Sequence, residues 1–191
     1  MRIIAGDLKG REVQIPRQSR IRPATGFIRE LAMNLFTPGR IEGGMFLDLC
    51  AGSGLVGFEA ISRGAARAYF VEADSRTASE IKLAAERFGV ADRAVVLTQD
   101  ARRCFPRLLK LLAGAGFDAA FLDPPFIPGM AGDILKYVGQ SAKILNPEAL
   151  LITRSPDRLS TEVPGLTFIE RRGTGNGALW LFKGALKEQA S

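Results

Sequence analysis

From residue 45 onward, short apolar runs alternate with segments of helical period. Met45–Cys50 is an apolar run ending in a glycine-rich turn, and Leu55–Ser62 reads as a helix stopped by Gly64. Ala68–Val71 is a second run. Ser75–Phe88 then sets Ile81, Ala84, Ala85 and Phe88 on one helical face and closes at Gly89. A third run, Ala94–Leu97, precedes a helix predicted over Ala101–Ala113. A fourth, Phe117–Leu122, precedes one over Gly132–Leu145, and Ala149–Thr153 is a fifth run. Strands buried on both faces read as continuous apolar runs, and alternation with helices means a parallel sheet covered on both sides. After Pro164 the alternation stops. Leu166–Arg171 and Ala178–Phe182 flank Gly173-Thr-Gly-Asn-Gly177, which predicts an antiparallel hairpin at the end. The expected architecture is therefore α/β, a Rossmann-like doubly wound, mostly parallel sheet with a C-terminal hairpin.

Before residue 45 the pattern is different. Arg2-Ile-Ile-Ala, two turn dipeptides and Glu12-Val-Gln-Ile read as a short strand or hairpin arm. Thr25 can cap a helix to about Phe36, with Ile28, Leu31, Ala32 and Leu35 on one face, and Thr37-Pro38-Gly39 stops it. Charge sharpens this division. The chain carries a net charge of +6, and residues 1–24 hold six basic against two acidic side chains, so four of those charges sit in the arm. A clustered basic excess points to phosphate contact more strongly than a uniform one. The reading is a basic arm over residues 1–24, suited to an anionic partner, and a domain over 25–191.

Composition removes several chemistries. There is no histidine, which excludes Ser-His-Asp catalysis and histidine metal ligation. Two cysteines make neither a disulfide framework nor a zinc site, so no metal is expected. The N-terminus lacks a signal-peptide apolar run, and no apolar stretch approaches a membrane span. The expectation is a cytoplasmic, reducing location and no membrane partner.

The glycine loop Asp48-Leu-Cys-Ala-Gly52-Ser53-Gly54-Leu-Val-Gly57 follows the first buried run and opens a helix. Glycines serve where the chain turns sharply and a ligand approaches backbone. GxGxxG by itself fits a dinucleotide equally well. Glu72, at the end of the second run, can accept both hydrogen bonds of a ribose diol, which both cofactor types carry. Asp48 decides between them. A carboxylate at the strand end can face an ammonium or sulfonium group but would repel a pyrophosphate. Asp100, after the third run, can accept a hydrogen bond from an adenine amino group. The pattern favours S-adenosylmethionine over NAD. Simpler roles stay open: Asp48 capping the turn, Asp100 capping the helix from Ala101, and Cys50 as a small buried hydrophobe. Asp74 is read as a helix cap.

Asp123-Pro124-Pro125-Phe126 follows the fourth run, at the edge where open α/β sheets place ligands. An exocyclic amine on a nucleobase is a poor nucleophile because its lone pair is delocalised. Two acceptors beside it, the Asp123 carboxylate and the Pro124 carbonyl, would orient its hydrogens. The paired prolines hold that carbonyl rigid, and Phe126 gives a face on which an unpaired base can stack.

A mostly parallel sheet ending in a hairpin resembles the class I methyltransferases. The motif set is similar, more narrowly, to the RsmD family of bacterial 16S ribosomal RNA guanine-N2 methyltransferases. The resemblance rests on Arg2-Ile-Ile-Ala-Gly, Gly10-Arg11, Arg22-Pro23, Arg29-Glu30, Asp48 to Gly57, Glu59-Ala60, Ser62-Arg63-Gly64-Ala65, Val71-Glu72 and Asp123 to Phe126, in order. It implies a seven-stranded sheet with the last strand antiparallel. It implies that Asp48, Ala51, Gly52, Ser53 and Gly54 contact the methionine part of S-adenosylmethionine, that Glu72 and Ala73 hold its ribose, and that Asp100 and Ala101 hold its adenine. Asp123, Pro124, Pro125 and Phe126 would hold the guanine, and Arg11, Arg22 and Arg29 would touch RNA. The substrate would be small-subunit ribosomal RNA or a partly assembled 30S particle, and the enzyme a monomer. At the first helix the family pattern has Thr and Asp where this chain has Ala24 and Gly26. For Arg29 and Glu30, a plain helix-surface charge stays open. The competing functions are a DNA adenine or cytosine amino-methyltransferase, an NAD-dependent oxidoreductase, and a cofactor-fold binding module without catalysis.

Overall fold

The computed structural model describes residues 1–14, 26–36, 38–141, 143–175 and 177–185. In chain order the elements are α1 (Gly26–Leu35), α2 (Pro38–Ile41), β1 (Met45–Leu49), α3 (Leu55–Ser62), β2 (Arg67–Glu72), α4 (Ser75–Phe88) and β3 (Ala94–Thr98). They continue with α5 (Phe105–Leu112), β4 (Phe117–Leu122), α6 (Met130–Gln140), β5 (Leu145–Ser155), β6 (Glu162–Val163), β7 (Leu166–Thr174) and β8 (Gly177–Gly184). No helix among the described residues is long and apolar enough to cross a membrane.

The strands form one sheet in the order β3-β2-β1-β4-β5-β8-β7-β6. The first five are parallel, and β8, β7 and β6 each run antiparallel to the neighbour they join. Seven of these strands were expected; the eighth is the two-residue β6, which pairs with Leu166 and Thr167. A strand this short carries no period of its own, so only its neighbour reveals it. The order reverses between β1 and β4, and ligands bind open α/β sheets at such a switch point.

Alternate residues of each strand feed two separate cores. Phe46, Phe70, Phe121 and Ile152 point to the face covered by α1, α3 and α4. Leu47, Tyr69, Leu122 and Leu151 point to the face covered by α5 and α6. Residues 1–14 share the first core: Ile3, Leu8 and Val13 are buried in it. Arg2 and Glu12 bridge to each other, while Ile4 and Leu8 donate their amides to Glu59 Oε1 at 2.6 Å and Ser62 Oγ at 2.8 Å. Gly6, at φ +80°, lies so close to α3 that a Cβ would fall 1.7 Å from the Ser62 carbonyl oxygen. These fourteen residues are thus packed onto the domain through α3.

Two helices are shorter than their patterns predict. The segment read as a helix from Ala101 is a turn to Arg103, and α5 begins only at Phe105. Asp100 accepts the Arg102 amide at 2.8 Å, a local alternative to helical bonding, and Pro106 favours a first helical turn. At the other site α6 ends at Gln140. The Ser141 amide and hydroxyl both turn back to the Tyr137 carbonyl, and Lys143 takes a left-handed φ of +70°.

Candidate active site

The carboxyl ends of β1 to β4 are stitched together by backbone. Ala51 N–H donates to Val71 at 3.0 Å, Gln99 N–H to Glu72 at 2.9 Å, and Asp123 N–H to Leu49 at 3.2 Å. The loops after these four strands therefore share one edge. Within the glycine loop the backbone turns left-handed at Cys50 (φ 61°), Gly52 (54°) and Gly54 (74°). Two of these three positions are glycine, where that conformation costs nothing. Gly57 has a different purpose: a Cβ there would lie 2.2 Å from the Phe70 ring, so its absence lets α3 press onto β2.

Gly54 occupies the N-cap of α3 and brings no side chain to it. Asp48 supplies the missing acceptor from the preceding strand, its Oδ2 taking the Gly57 amide at 2.9 Å. It does cap the turn, as one of its open readings held. Asp48 is buried, and burial holds its carboxyl well above the usual carboxylate range, against the Gly57 hydrogen bond; Asp123 and Glu72 add to the rise. Glu72 binds two amides, Gly52 N–H at 2.8 Å on Oε2 and Asp74 N–H at 2.9 Å on Oε1. Asp74 caps α4 through the Thr77 amide, as its position in the sequence implies. Asp100 is paired with Arg102 at 2.6 Å, which lowers its carboxyl to about 2.

Cys50 reports where these acids lie. Its thiol is pushed up, first by burial and then by the charges of Glu72, Asp123, Asp48 and Asp100. The charges of all four carboxylates chosen from the sequence thus act on one half-buried residue of the glycine loop. Ala51, Gly52 and Ser53 lie along this loop, Ala73 is exposed beyond β2, and Ala101 is buried under β3.

Asp123 sits just beyond β4. Burial raises its carboxyl to about 6, with Arg154 opposing. Pro124 is buried, and Pro125 and Phe126 are exposed, Phe126 by 42%. Arg154 Nε donates to Asp123 Oδ1 at 2.6 Å, and its Cζ lies 4.9 Å from the centre of the Phe126 ring. Sequence reading missed Arg154. The signal was present, because it is a charged residue directly after the fifth apolar run, as Glu72 and Asp123 are at theirs. Register confirms the relation: Leu122 pairs with Thr153, so the next residues are Asp123 and Arg154.

The expected RNA contacts fare differently. Arg11 is exposed on the packed N-terminal turn. Arg22 lies outside the described residues. Arg29 is only 5% exposed and faces inward, its guanidinium on the Arg2 carbonyl at 3.1 Å and 3.6 Å from the fully buried Glu59. A side chain held there by an acid cannot also reach a phosphate, so the expected surface contact is corrected.

The sheet order and the glycine-loop site define a class I methyltransferase fold. The solved structure of yhhF from Escherichia coli superposes with a TM-score of 0.81 at 28% identity, covering 98% of this chain and 99% of that one. The chain belongs to the family described as conserved hypothetical protein 95, whose model matches residues 1–183; this is the RsmD family the motifs resemble. It is similar to ribosomal RNA small subunit methyltransferase D of Haemophilus influenzae, at 29% identity over 177 residues, 92% of this chain and 89% of that protein. It is also similar to YlbH of Bacillus subtilis, at 36% identity over 126 residues, 66% of this chain and 67% of that one.

Proposed function

We propose that this chain transfers a methyl group from S-adenosylmethionine to the exocyclic N2 amine of a guanine in small-subunit ribosomal RNA. The observation that carries the reading is the set of acids at one sheet edge, Asp48 and Glu72 bound to the glycine loop and Asp100 and Asp123 after their strands, all acting on Cys50, with an exposed aromatic side chain at Phe126. The donor set fits the cofactor. A buried acid whose burial is offset by one amide, beside two further acids, favours a cationic ligand. The same set repels a pyrophosphate, which argues against NAD.

In this reading Asp48 and the loop residues Ala51, Gly52, Ser53 and Gly54 hold the methionine part. Glu72 and Ala73 hold the ribose, and Asp100 and Ala101 the adenine. S-adenosylmethionine supplies an electrophilic methyl group on a good leaving group. Asp123 and the Pro124 carbonyl accept hydrogen bonds from the amine, hold its lone pair toward the methyl carbon, and give the departing proton a place to go. Phe126 stacks on the base. Much of the acceleration then comes from positioning.

A ribosomal RNA substrate is supported by the name of the Haemophilus influenzae relative and by the charge of the N-terminal segment. Arg11, on its packed turn, and Arg22 are the proposed phosphate contacts. The proposal extends to a partly assembled 30S particle as the natural substrate, a monomer, and a cytoplasmic location. The test is transfer from labelled S-adenosylmethionine to RNA and to small-subunit particles lacking the mark, with DNA as a parallel arm. Digestion and mass spectrometry should find N2-methylguanosine. With cofactor demonstrably bound, transfer to DNA alone, or to nothing, would overturn the reading.

A further inference from the structure

Arg154 makes two contacts at once. Its Nε–H donates to Asp123 Oδ1 at 2.6 Å, and its guanidinium carbon lies 4.9 Å from the centre of the Phe126 ring. Asp123 and Arg154 are each only 13% exposed, so this pair is screened little by water. Those two contacts, a donor on Asp123 and a flat cationic or π face on Phe126, are the ones the functional reading assigns to the guanine. The chemistry matches closely. A guanidinium carries N–H groups and a central carbon in one plane, and the N1–C2–N2 edge of guanine presents the same arrangement of donors.

We propose that Arg154 is a specificity-determining residue that holds the place of the target base in the free protein and is displaced by it. This inference rests on the functional reading above, because it takes Asp123 and Phe126 to be the base site. A base enters only if it can replace a charge-assisted hydrogen bond and a group lying over the Phe126 ring together. Guanine does both through its amino edge and ring, whereas uracil has no amino group to offer Asp123. While the site is empty, the guanidinium also keeps a counter-ion beside a buried carboxylate, which would otherwise be costly. Among the described residues, Arg154 from β5 binds Asp123, and Asp48 from β1 and the Cys50 thiol of the glycine loop feel its charge. With Arg154 withdrawn, burial acts unopposed, so Asp123 titrates at higher pH.

Two substitutions separate plane from charge. Arg154→Gln removes the cation, and Arg154→Lys keeps a cation without the planar guanidinium that lies over Phe126. Binding of guanosine 5′-monophosphate, followed through the Phe126 ring resonances at pH 8.5, should tighten by about threefold to tenfold in both variants, as expected when a competing occupant is removed. The Asp123 carboxyl, followed by carbon NMR, should titrate higher in Arg154→Gln than in the parent and return toward the parent in Arg154→Lys. In methyl transfer, KM for RNA at pH 8.5 should fall by a similar factor in both variants. Weaker nucleotide binding in either variant would make Arg154 a ligand of the base and overturn the proposal, as would a nucleotide affinity that neither substitution changes. If the parent methylates no RNA yet its variants bind the nucleotide more tightly, RNA methylation fails while Asp123 and Phe126 remain a base site whose place Arg154 holds. If the parent methylates small-subunit RNA and the nucleotide affinities do not rise, only the placeholder fails.

Discussion

Glu72 Oε2 accepts the Gly52 amide at 2.8 Å across 20 residues of sequence, fastening the glycine loop to the end of β2. One carboxylate therefore shapes the loop and, in the proposed function, binds the ribose. Glu72→Gln keeps one acceptor oxygen, whereas Glu72→Ala keeps none. The expected result is a graded loss of S-adenosylmethionine affinity, about tenfold for Gln and a hundredfold or more for Ala, as for charge-assisted hydrogen bonds worth about 1.5–3 kcal/mol. Calorimetry measures the affinity, and amide exchange at Gly52 reports the loop. An Ala variant that binds normally would remove Glu72 from the cofactor site.

Asp48 sets function against stability. It is 2% exposed, and its carboxyl is raised by burial beside Asp123 and Glu72. Asp48→Asn keeps an oxygen for the Gly57 amide and removes a buried charge. Thermal unfolding at pH 7.5 should move up by about 2–4 °C, the shift that about 1 kcal/mol makes in a chain of this size. Cofactor affinity should fall at least about tenfold, because the ammonium or sulfonium group loses its counter-charge. A stabilised variant with full affinity would leave Asp48 as a helix cap alone.

The pH dependence turns on Asp123. Its carboxyl is raised from 3.8 to about 6, chiefly by burial. A folded value above the unfolded one means the protonated form is favoured on folding. That contribution is complete below about pH 3.8 and is lost as pH rises through about 6. Taking the proton that leaves the amine requires the ionised form. At saturating cofactor and limiting RNA, where the empty base site still holds Arg154, kcat/KM for methyl transfer should therefore rise with an apparent midpoint near 6 and then level off. Asp123→Asn should abolish transfer, spare cofactor binding and flatten the stability change between pH 4 and 7. A rate profile flat from pH 5 to 8 would remove the proposed role.

Two arginines of the N-terminal region should behave in opposite ways. Arg29 lies inside, against the fully buried Glu59, which also takes the Ile4 amide and faces Arg63 at 3.5 Å. Arg29→Ala leaves that acid poorly compensated and should cost about 3–5 kcal/mol in chemical denaturation. Arg11 is exposed. Arg11→Glu should leave stability within about 0.5 kcal/mol, weaken RNA binding across sequences and lower the salt slope by about 1–2. A stable Arg29→Ala with weak RNA binding would reverse the assignment.

Much of the site was written in local chemistry. Glu72 and Asp123 directly follow apolar runs, Asp48 lies near the end of one and Asp100 shortly after another, and a parallel sheet brings such positions to one edge whatever its detailed register. Asp74 as a cap, and Gly89 as the end of α4, follow from neighbouring residues alone. The starting point of α5 was not legible, because Asp100 spends its carboxylate on Arg102 two residues away, and helical period cannot reveal that competition.

By itself the sequence determined the alternation of strands and helices, the two faces they bury, the glycine loop and the acids at the strand ends. Each of these depends on side-chain period or on turn chemistry within a few residues. Only the tertiary structure decided which distant groups meet. The Asp123–Arg154 pair depends on the register of β4 against β5, which a shift between Phe117 and Ala119 adjusts. The inward turn of Arg29 depends on α1 and residues 1–14 closing over α3. Contacts of this kind are fixed by the packing of whole elements, and no local pattern encodes that packing.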